Sequence, residues 1–366
     1  MDIFSGFRTL LKPVSVNAFL KGLFNRPLVG VDLGYHTIKV LRFKNKQLEL
    51  ADFGTYVLPE EAITEPDKRD EYLISALGIL VDQLQLKQKE VAVCLPSKYV
   101  IMKKIELPPM KESELVSALF TEAEQYIPYD LKEVNLSYQV LMKQGEEKEK
   151  IQILIAAAKK DVIEKHVNLL KEAGLIPYVM DVENLALANA YEVCYGKTET
   201  PIALVDIGAS SIKILVLMDS IPVFSREVST GGLYLTRQIQ TRLNLSFTEA
   251  ERIKIEGSSD ETVNGIVRDI LVFVTTEWVN EIKTALDFFE GNSGTKINKI
   301  FVCGGSSRIK KLNEVLAKYL KKEIYDFNIF GNVKYNPNLF DPAYLDYFNP
   351  QAPVAFGLAL RTKVEK

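Results

Sequence analysis

Two segments of the chain carry an acid, a glycine and a lysine at the same spacing. Asp32, Gly34 and Lys39 lie in Val31-Asp32-Leu33-Gly34-Tyr35-His36-Thr37-Ile38-Lys39; Asp206, Gly208 and Lys213 lie in Val205-Asp206-Ile207-Gly208-Ala209-Ser210-Ser211-Ile212-Lys213. Each segment reads as a buried apolar strand, a sharp Asp-x-Gly turn and a second strand beginning at the Ile-Lys pair. The chemistry this suits is a phosphate clamp. Gly34 and Gly208 admit backbone angles that gather successive N–H groups on one side of a bend, and such a concavity binds anions. Asp32 and Asp206, at the strand ends, place carboxylates where a hydrated Mg²⁺ bridging two phosphates needs oxygen ligands. Thr37, Ser210 and Ser211 add hydroxyl donors, and Lys39 and Lys213 add charge. One such turn alone is an ordinary β-turn. Two with matching flanks, far apart in the chain, mark two homologous halves that face one another.

The elements that must position these turns follow from periodicity. In the first half, residues 47–58 read as a third strand, 71–84 as a helix and 91–95 as a buried strand closed by Pro96. Residues 97–166 then depart from this order. They carry strands at 99–107, 135–142 and 151–158, a helix at 113–126 and a charged loop at 143–150 that reads as a mobile hairpin tip, which together make a compact α+β insertion. A helix over 161–173 stops at Gly174, and a strand leads into a small-residue helix through Glu183. The second half repeats the plan. Its third strand ends at Gly231-Gly232, helices follow at 233–243, 247–254 and 263–289, and a buried strand at 299–303 ends in Gly304-Gly305-Ser306. Trp278 reads as packing inside the long helix. After a helix at 310–319, a final small-residue helix at 353–361 is placed to cross back to the first half.

Composition excludes several classes. A chain of 366 residues exceeds one typical core and divides into at least two domains. With 47% hydrophobic residues, 25% charged and a net charge of −3, it belongs with ordinary globular proteins, and no bulk basic field points to nucleic acid. Cys94, Cys194 and Cys303 are widely separated in apolar stretches and read as reduced core residues. His36 and His166 alone cannot build a zinc site with them. His166 falls on a helix face; His36 is either an anion donor in the first turn or a solvated turn residue.

No apolar run is long enough to span a bilayer. Residues 1–26 are nevertheless amphipathic: Ile3, Phe4, Phe7, Leu10, Leu11 and Val14 follow helical spacing, Val16, Phe19, Leu20, Leu23 and Phe24 repeat it, and basic residues flank them. Three readings stand open: a peripheral membrane contact, a partner-docking arm, and a segment packed on the protein's own surface.

The order of segments resembles the superfamily of actin, heat-shock chaperones and sugar kinases. A first phosphate loop at 32–39, a connecting segment at 174–191, a second phosphate loop at 206–213 and an adenosine segment at 302–307 appear in sequence. Within it, residues 27–364 are similar to the PilM family, the actin-like, FtsA-related proteins of type IV pilus assembly. Glu122-Ala123-Glu124-Gln125-Tyr126-Ile127-Pro128-Tyr129, Asp181-Val182-Glu183-Asn184-Leu185-Ala186-Leu187, Ser229-Thr230-Gly231-Gly232 and Phe356-Gly357-Leu358-Ala359-Leu360-Arg361 carry that likeness.

The resemblance implies an α/β, actin-like ATPase fold, two ribonuclease-H-like halves around a nucleotide cleft. Residues 27–96, 167–200 and 335–366 would form the first half and 201–334 the second. The insertion at 97–166 would be a 1C-like subdomain of the PilM and FtsA type. ATP or ADP with Mg²⁺ is the implied cofactor. Gly34, Tyr35 and His36 would meet the β- and γ-phosphates, with Gly208, Ala209 and Ser210 on the other side and Asp32 and Asp206 holding the metal through water. Gly231, Gly232, Gly304, Gly305 and Ser306 would let backbone approach the ribose and adenine. Glu251 and Lys254 match a nucleoside contact, although at i,i+3 they equally read as a surface ion pair. Glu183 aligns with the acid that orients water in related ATPases, and equally reads as a helix N-terminal residue. Tyr35 and His36 stand where serines are usual, which favours nucleotide binding over turnover.

The implied function is a cytoplasmic, ATP-binding scaffold at the inner membrane that docks the N-terminal tail of a PilN-like bitopic protein. The tail would lie between the insertion and the first half, near 126–130 and the strand 151–158. Other pilus inner-membrane proteins and self-association are further implied contacts. An FtsA-like division protein and a small-molecule kinase of the same fold are the alternatives.

Overall fold

The computed structural model describes residues 26–44, 48–108, 110, 112–141 and 150–363. The amphipathic segment 1–26, apart from Arg26, and the tip of the charged loop lie outside the described residues. Two five-stranded sheets repeat one plan: β3 (Leu50–Val57), β2 (Thr37–Phe43), β1 (Val29–Leu33), β4 (Glu90–Leu95), β8 (Ile176–Val182) in the first half and β11 (Ile221–Val228), β10 (Ile212–Met218), β9 (Ile202–Ile207), β12 (Lys299–Cys303), β13 (Glu323–Asp326) in the second. In each, the first strand of the repeated hairpin is central, paired antiparallel with the second strand and parallel with a later one. The central strands β1 (Val29–Leu33) and β9 (Ile202–Ile207) are almost wholly buried, because helices or the opposite half cover both faces. That burial explains their unbroken apolar runs.

The helices obey their sequence punctuation. In the first half they are α1 (Glu61–Thr64) and α2 (Arg69–Gln83), with α3 (Glu112–Ala123) in the insertion, then α4 (Lys160–Glu172) and α5 (Glu183–Tyr195). The second half adds α6 (Gly232–Leu243), α7 (Phe247–Glu256), α8 (Glu261–Ser293) and α9 (Leu312–Leu320). Asp260 caps α8 by accepting from Thr262 N at 2.8 Å, and the helix ends in left-handed Gly294. Its fully buried Trp278 packs among apolar residues and donates to Thr230 Oγ1 at 3.2 Å, so it serves the core of the second half.

The insertion is a three-stranded antiparallel sheet in the order β5 (Val100–Leu107), β7 (Ile151–Lys159), β6 (Val134–Val140), packed on α3. The strand 151–158 is therefore the buried centre of this sheet, hydrogen-bonded on both sides. Both of its edges are paired, so only its two faces remain for further packing. Of the other expected segment, Tyr126 and Tyr129 are exposed, with Lys103 and Lys159 over their rings at 5.3 and 4.4 Å.

One core joins the two sheets at the base of the cleft. Leu41 and Phe53 of the first sheet meet Leu204 and Leu215 of the second, with α5 and the C-terminal residues between them. The last helix, α11 (Pro353–Ala359), packs on β1, β2 and α5, so the chain does return to the first half. Arg361 locks this return by pairing with buried Asp181 at 2.5 Å.

Candidate functional site

The two Asp-x-Gly turns meet at one cavity of about 770 Å³ between the halves. Every residue expected at the site lines it except Gly231. Gly231 instead lies beneath the second turn, where a Cβ would come within 2.6 Å of Gly208 O. Its neighbours hold that turn from below: Gly232 N donates to Gly208 O at 3.0 Å and Leu233 N to Ala209 O at 2.9 Å.

The reason for the turn glycines differs from the expected one. Neither Gly34 nor Gly208 is among the glycines with positive φ. Space restricts them instead, severely at Gly34 and mildly at Gly208. A Cβ on Gly34 would collide with Thr37 O and stand 2.7 Å from Lys39 Nζ, and one on Gly208 would lie 3.1 Å from Ser211 O. Gly208 N donates to Ser211 O at 3.0 Å, so this amide closes the turn and does not face a ligand. Gly304 does need its left-handed backbone, φ +87°, and a Cβ there would strike Asp206 Oδ1 and Ile207 O. Ser306 completes the junction by donating to Gly208 O at 3.1 Å.

The charged side chains form three groups. Lys39 Nζ donates to Asp32 Oδ2 at 3.0 Å. Lys213 Nζ donates to Glu183 Oε1 at 2.6 Å and lies 3.5 Å from Asp206 Oδ2. Burial opposes the charge of Lys213, yet Glu183, Asp206 and Asp32 more than offset it, and its pKa stands well above the ordinary value. Burial pushes the Glu183 carboxyl up, against the pull of Lys213. Glu183 is also the first residue of α5, as the alternative reading had it, and its Oε2 accepts from Ser97 N at 3.4 Å.

The third group is Glu251 and Lys254, 2.5 Å apart and largely buried against the cavity wall, so the surface-pair reading does not hold. Lys254 donates to Thr236 Oγ1 at 2.8 Å, and the Thr236 hydroxyl donates to Glu251. Burial lowers the Lys254 pKa, with Glu251 opposing. His36 lines the cavity, half-buried, with Nδ1 3.3 Å from Thr37 Oγ1; burial lowers its pKa and favours the neutral ring.

Asp32 and Asp206 each pair through Oδ2 with a lysine ammonium group, Lys39 and Lys213 respectively. Among the described residues, no group of three or more His, Cys, Asp or Glu side chains is arranged to hold a metal. Cys303 lines the cavity floor, and burial raises its thiol pKa well above the ordinary value, as it does that of Cys94; burial brings Cys194 to about 12. None is a ready nucleophile.

Two parts of the site escaped the sequence reading. Arg69 of α2 fixes the first turn: it donates to Gly34 O at 3.2 Å, Tyr35 O at 2.9 Å and Ala62 O at 2.9 Å, and its guanidinium lies 4.3 Å over the Tyr35 ring. Arg308 stacks at 3.5 Å over Tyr347, of α10 (Pro342–Phe348), and both line the cavity beside Gly304 and Gly305. Arg308 directly follows the glycine and serine run, which was its only signal.

A second cavity of about 430 Å³ lies where β5 of the insertion, the start of α5 and β11 (Ile221–Val228) meet. Val100, Ile101, Met102 and Val182 supply its apolar wall; Lys98, Arg226 and Glu227 supply charge. Lys213 lines both cavities.

The family model described as "Type IV pilus assembly protein PilM" matches residues 30–363. The chain is 25% identical to a protein in the solved "PilM-PilN type IV pilus biogenesis complex", with a TM-score of 0.79 over 92% of this chain and 98% of that one. It is 15% identical to the ethanolamine utilization protein EutJ from Carboxydothermus hydrogenoformans, covering 94% of each chain with a TM-score of 0.49. Two sheets of one plan facing a common cleft are the actin-like fold of the PilM family.

Proposed function

The chain belongs to the PilM family of type IV pilus assembly proteins, and on that premise we propose that it is an ATP- or ADP-binding scaffold on the cytoplasmic side of the inner membrane, docking the tail of a PilN-like membrane protein. The nucleotide part is carried by one observation: both Asp-x-Gly turns and the Gly304-Gly305 corner line a single cavity of nucleotide size. The triphosphate lies between the two turns. The nucleoside lies between the Glu251–Lys254 pair and the Arg308–Tyr347 stack, where a planar base meets a guanidinium and an aromatic face.

The docking part is supported by the family, by the likeness to the PilM of a PilM-PilN complex, and by the second cavity beside the insertion. An apolar wall with charges at its rim suits a short peptide that carries both kinds of side chain. The test is a fluorescence anisotropy titration of a labelled N-terminal tail peptide from the PilN-like protein of the same cell. Saturable binding that Met102→Glu weakens at least about tenfold supports the reading. Absence of binding, or binding that Met102→Glu leaves unchanged, contradicts it.

A further inference from the structure

The halves also touch at a place apart from the core at the base of the cleft. Ile63 of α1 in the first half and Leu233 of α6 and Phe247 of α7 in the second are buried together, at 4%, 6% and 7% exposure, and Tyr35 and Ala209 pack against them. Tyr35 and Ala209 hold the same place in the two repeats, directly after Gly34 and Gly208. One small apolar cluster therefore joins the two phosphate turns. Beside it, on the surface, Thr248 Oγ1 donates to Glu60 Oε2 at 3.3 Å, again from one half to the other.

Each side of this contact is held firmly to its own half. Arg69 donates to Tyr35 O and to Ala62 O, at 2.9 Å each, so the first turn and α1 form one piece. Leu233 N donates to Ala209 O, and a capping box at Ser246 fixes the start of α7 beside Phe247. Side-chain contacts, the apolar packing and the Thr248 to Glu60 hydrogen bond, join the two pieces. They can part without loss of backbone hydrogen bonds. The base core is far larger and draws on both sheets, so motion between the halves pivots there and opens the small cluster first. Tyr35, Ala209 and Leu233 also line the nucleotide cavity, which makes the cluster one wall of it; Ile63 and Phe247 are not among the lining residues.

We infer that this cluster is a clasp across the cleft, and that its opening sets the rate at which nucleotide enters and leaves. The base core is the hinge. Because Ile63 and Phe247 do not line the cavity, weakening them raises the open population without removing a nucleotide contact. Entry and exit then accelerate together, and affinity changes little.

This inference rests on the nucleotide reading above, and the experiment separates the two. ATP labelled at the α-phosphate is loaded onto the full chain and chased with excess unlabelled ATP, with release followed by rapid filtration and association measured with the same label. Ile63→Ala and Phe247→Ala should each release and capture ATP at least about fivefold faster, with the dissociation constant within about threefold of wild type. A second arm leaves the cluster intact: Glu60→Cys and Thr248→Cys, at the exposed pair, are bridged by a short bismaleimide after loading, and wild type is treated alike. Release from the bridged protein should slow at least about tenfold. Release within about twofold of wild type in both alanine variants, or a bridged protein that releases as fast as the unbridged one, overturns the inference while leaving nucleotide binding in place. Faster release with unchanged association also overturns it, because the cluster then contributes affinity and gates nothing. No wild-type binding overturns the nucleotide reading itself and the inference with it. The bridged protein decides the matter even where an alanine variant fails to fold.

Discussion

Glu183, the first residue of α5 in the first half, lies 2.6 Å from Lys213 on β10 (Ile212–Met218) of the second half. This ion pair ties the two halves together at the floor of the cleft, and both side chains are nearly buried. Removing one partner leaves a buried charge short of its counter-ion, which is costly. Glu183→Ala is expected to lower the unfolding free energy by roughly 2–3 kcal/mol, at the low end for such pairs because Lys213 keeps Asp206. Urea denaturation of the two proteins measures it, and a difference below about 0.5 kcal/mol contradicts the assignment.

Gly304 is tightly packed at the end of the buried strand 299–303. Its φ of +87° disfavours any side chain, and a Cβ meets Asp206 and Ile207. Gly304→Ala therefore costs on the order of 2–4 kcal/mol and displaces Asp206 and the second turn. A thermal melt and an ATP titration of the same protein should both show the loss. Gly265→Ala, in α8 with open space around the position, serves as the control.

Arg308 and Tyr347 form a stack whose guanidinium and ring face the cavity beside the glycines. Arg308→Ala should weaken adenine nucleotides by about tenfold, the 1–2 kcal/mol of a partly desolvated cation–π contact, with little change in stability. Inorganic triphosphate, which lacks a base, should bind wild type and variant alike. Equal losses for both ligands would assign Arg308 to the phosphates instead.

Glu290, at the end of α8, gives the pH dependence. Burial alone would raise its pKa, but Lys322 at 2.5 Å, Lys296 at 2.9 Å and Ile297 N at 2.8 Å hold it at about 2, below the ordinary 4.5. A carboxylate depressed in the folded state contributes stability that is complete above its unfolded pKa and is lost as pH falls through the folded one. That contribution is roughly 2–3 kcal/mol, discounted because Lys296 is largely exposed. Wild type should exceed Glu290→Gln in urea midpoint at pH 6, and the gap should narrow steadily between pH 4.5 and pH 2.

Much of this site was legible because its parts are local in sequence. The Asp-x-Gly turns, the glycine pairs and Glu251 with Lys254 each announce themselves within a few residues. The α8 helix shows its apolar stripe, and its ends carry Asp260 and Gly294. What escaped is what tertiary packing decides. Tyr347 lies far from Arg308 along the chain, and only the return of the C-terminal residues brings them together. Arg69 precedes the helix read at 71–84, and only the fold sets it under the first turn. Periodicity identified strand 151–158 but not its neighbours, and strand order decided that it is central. The pairing of Lys213 with both Glu183 and Asp206 likewise depends on how the halves meet.

Hydrogen–deuterium exchange on the full chain, with ATP and the tail peptide added separately and together, tests the central claim most directly. ATP should slow exchange in residues 34–37, 208–211 and 304–306, which line the first cavity. The peptide should slow it in residues 97–102 and 225–229, which border the second. Protection by ATP that is absent from both turns, or a peptide that protects no residue beside the insertion, would contradict the account of this chain as a nucleotide-binding docking scaffold.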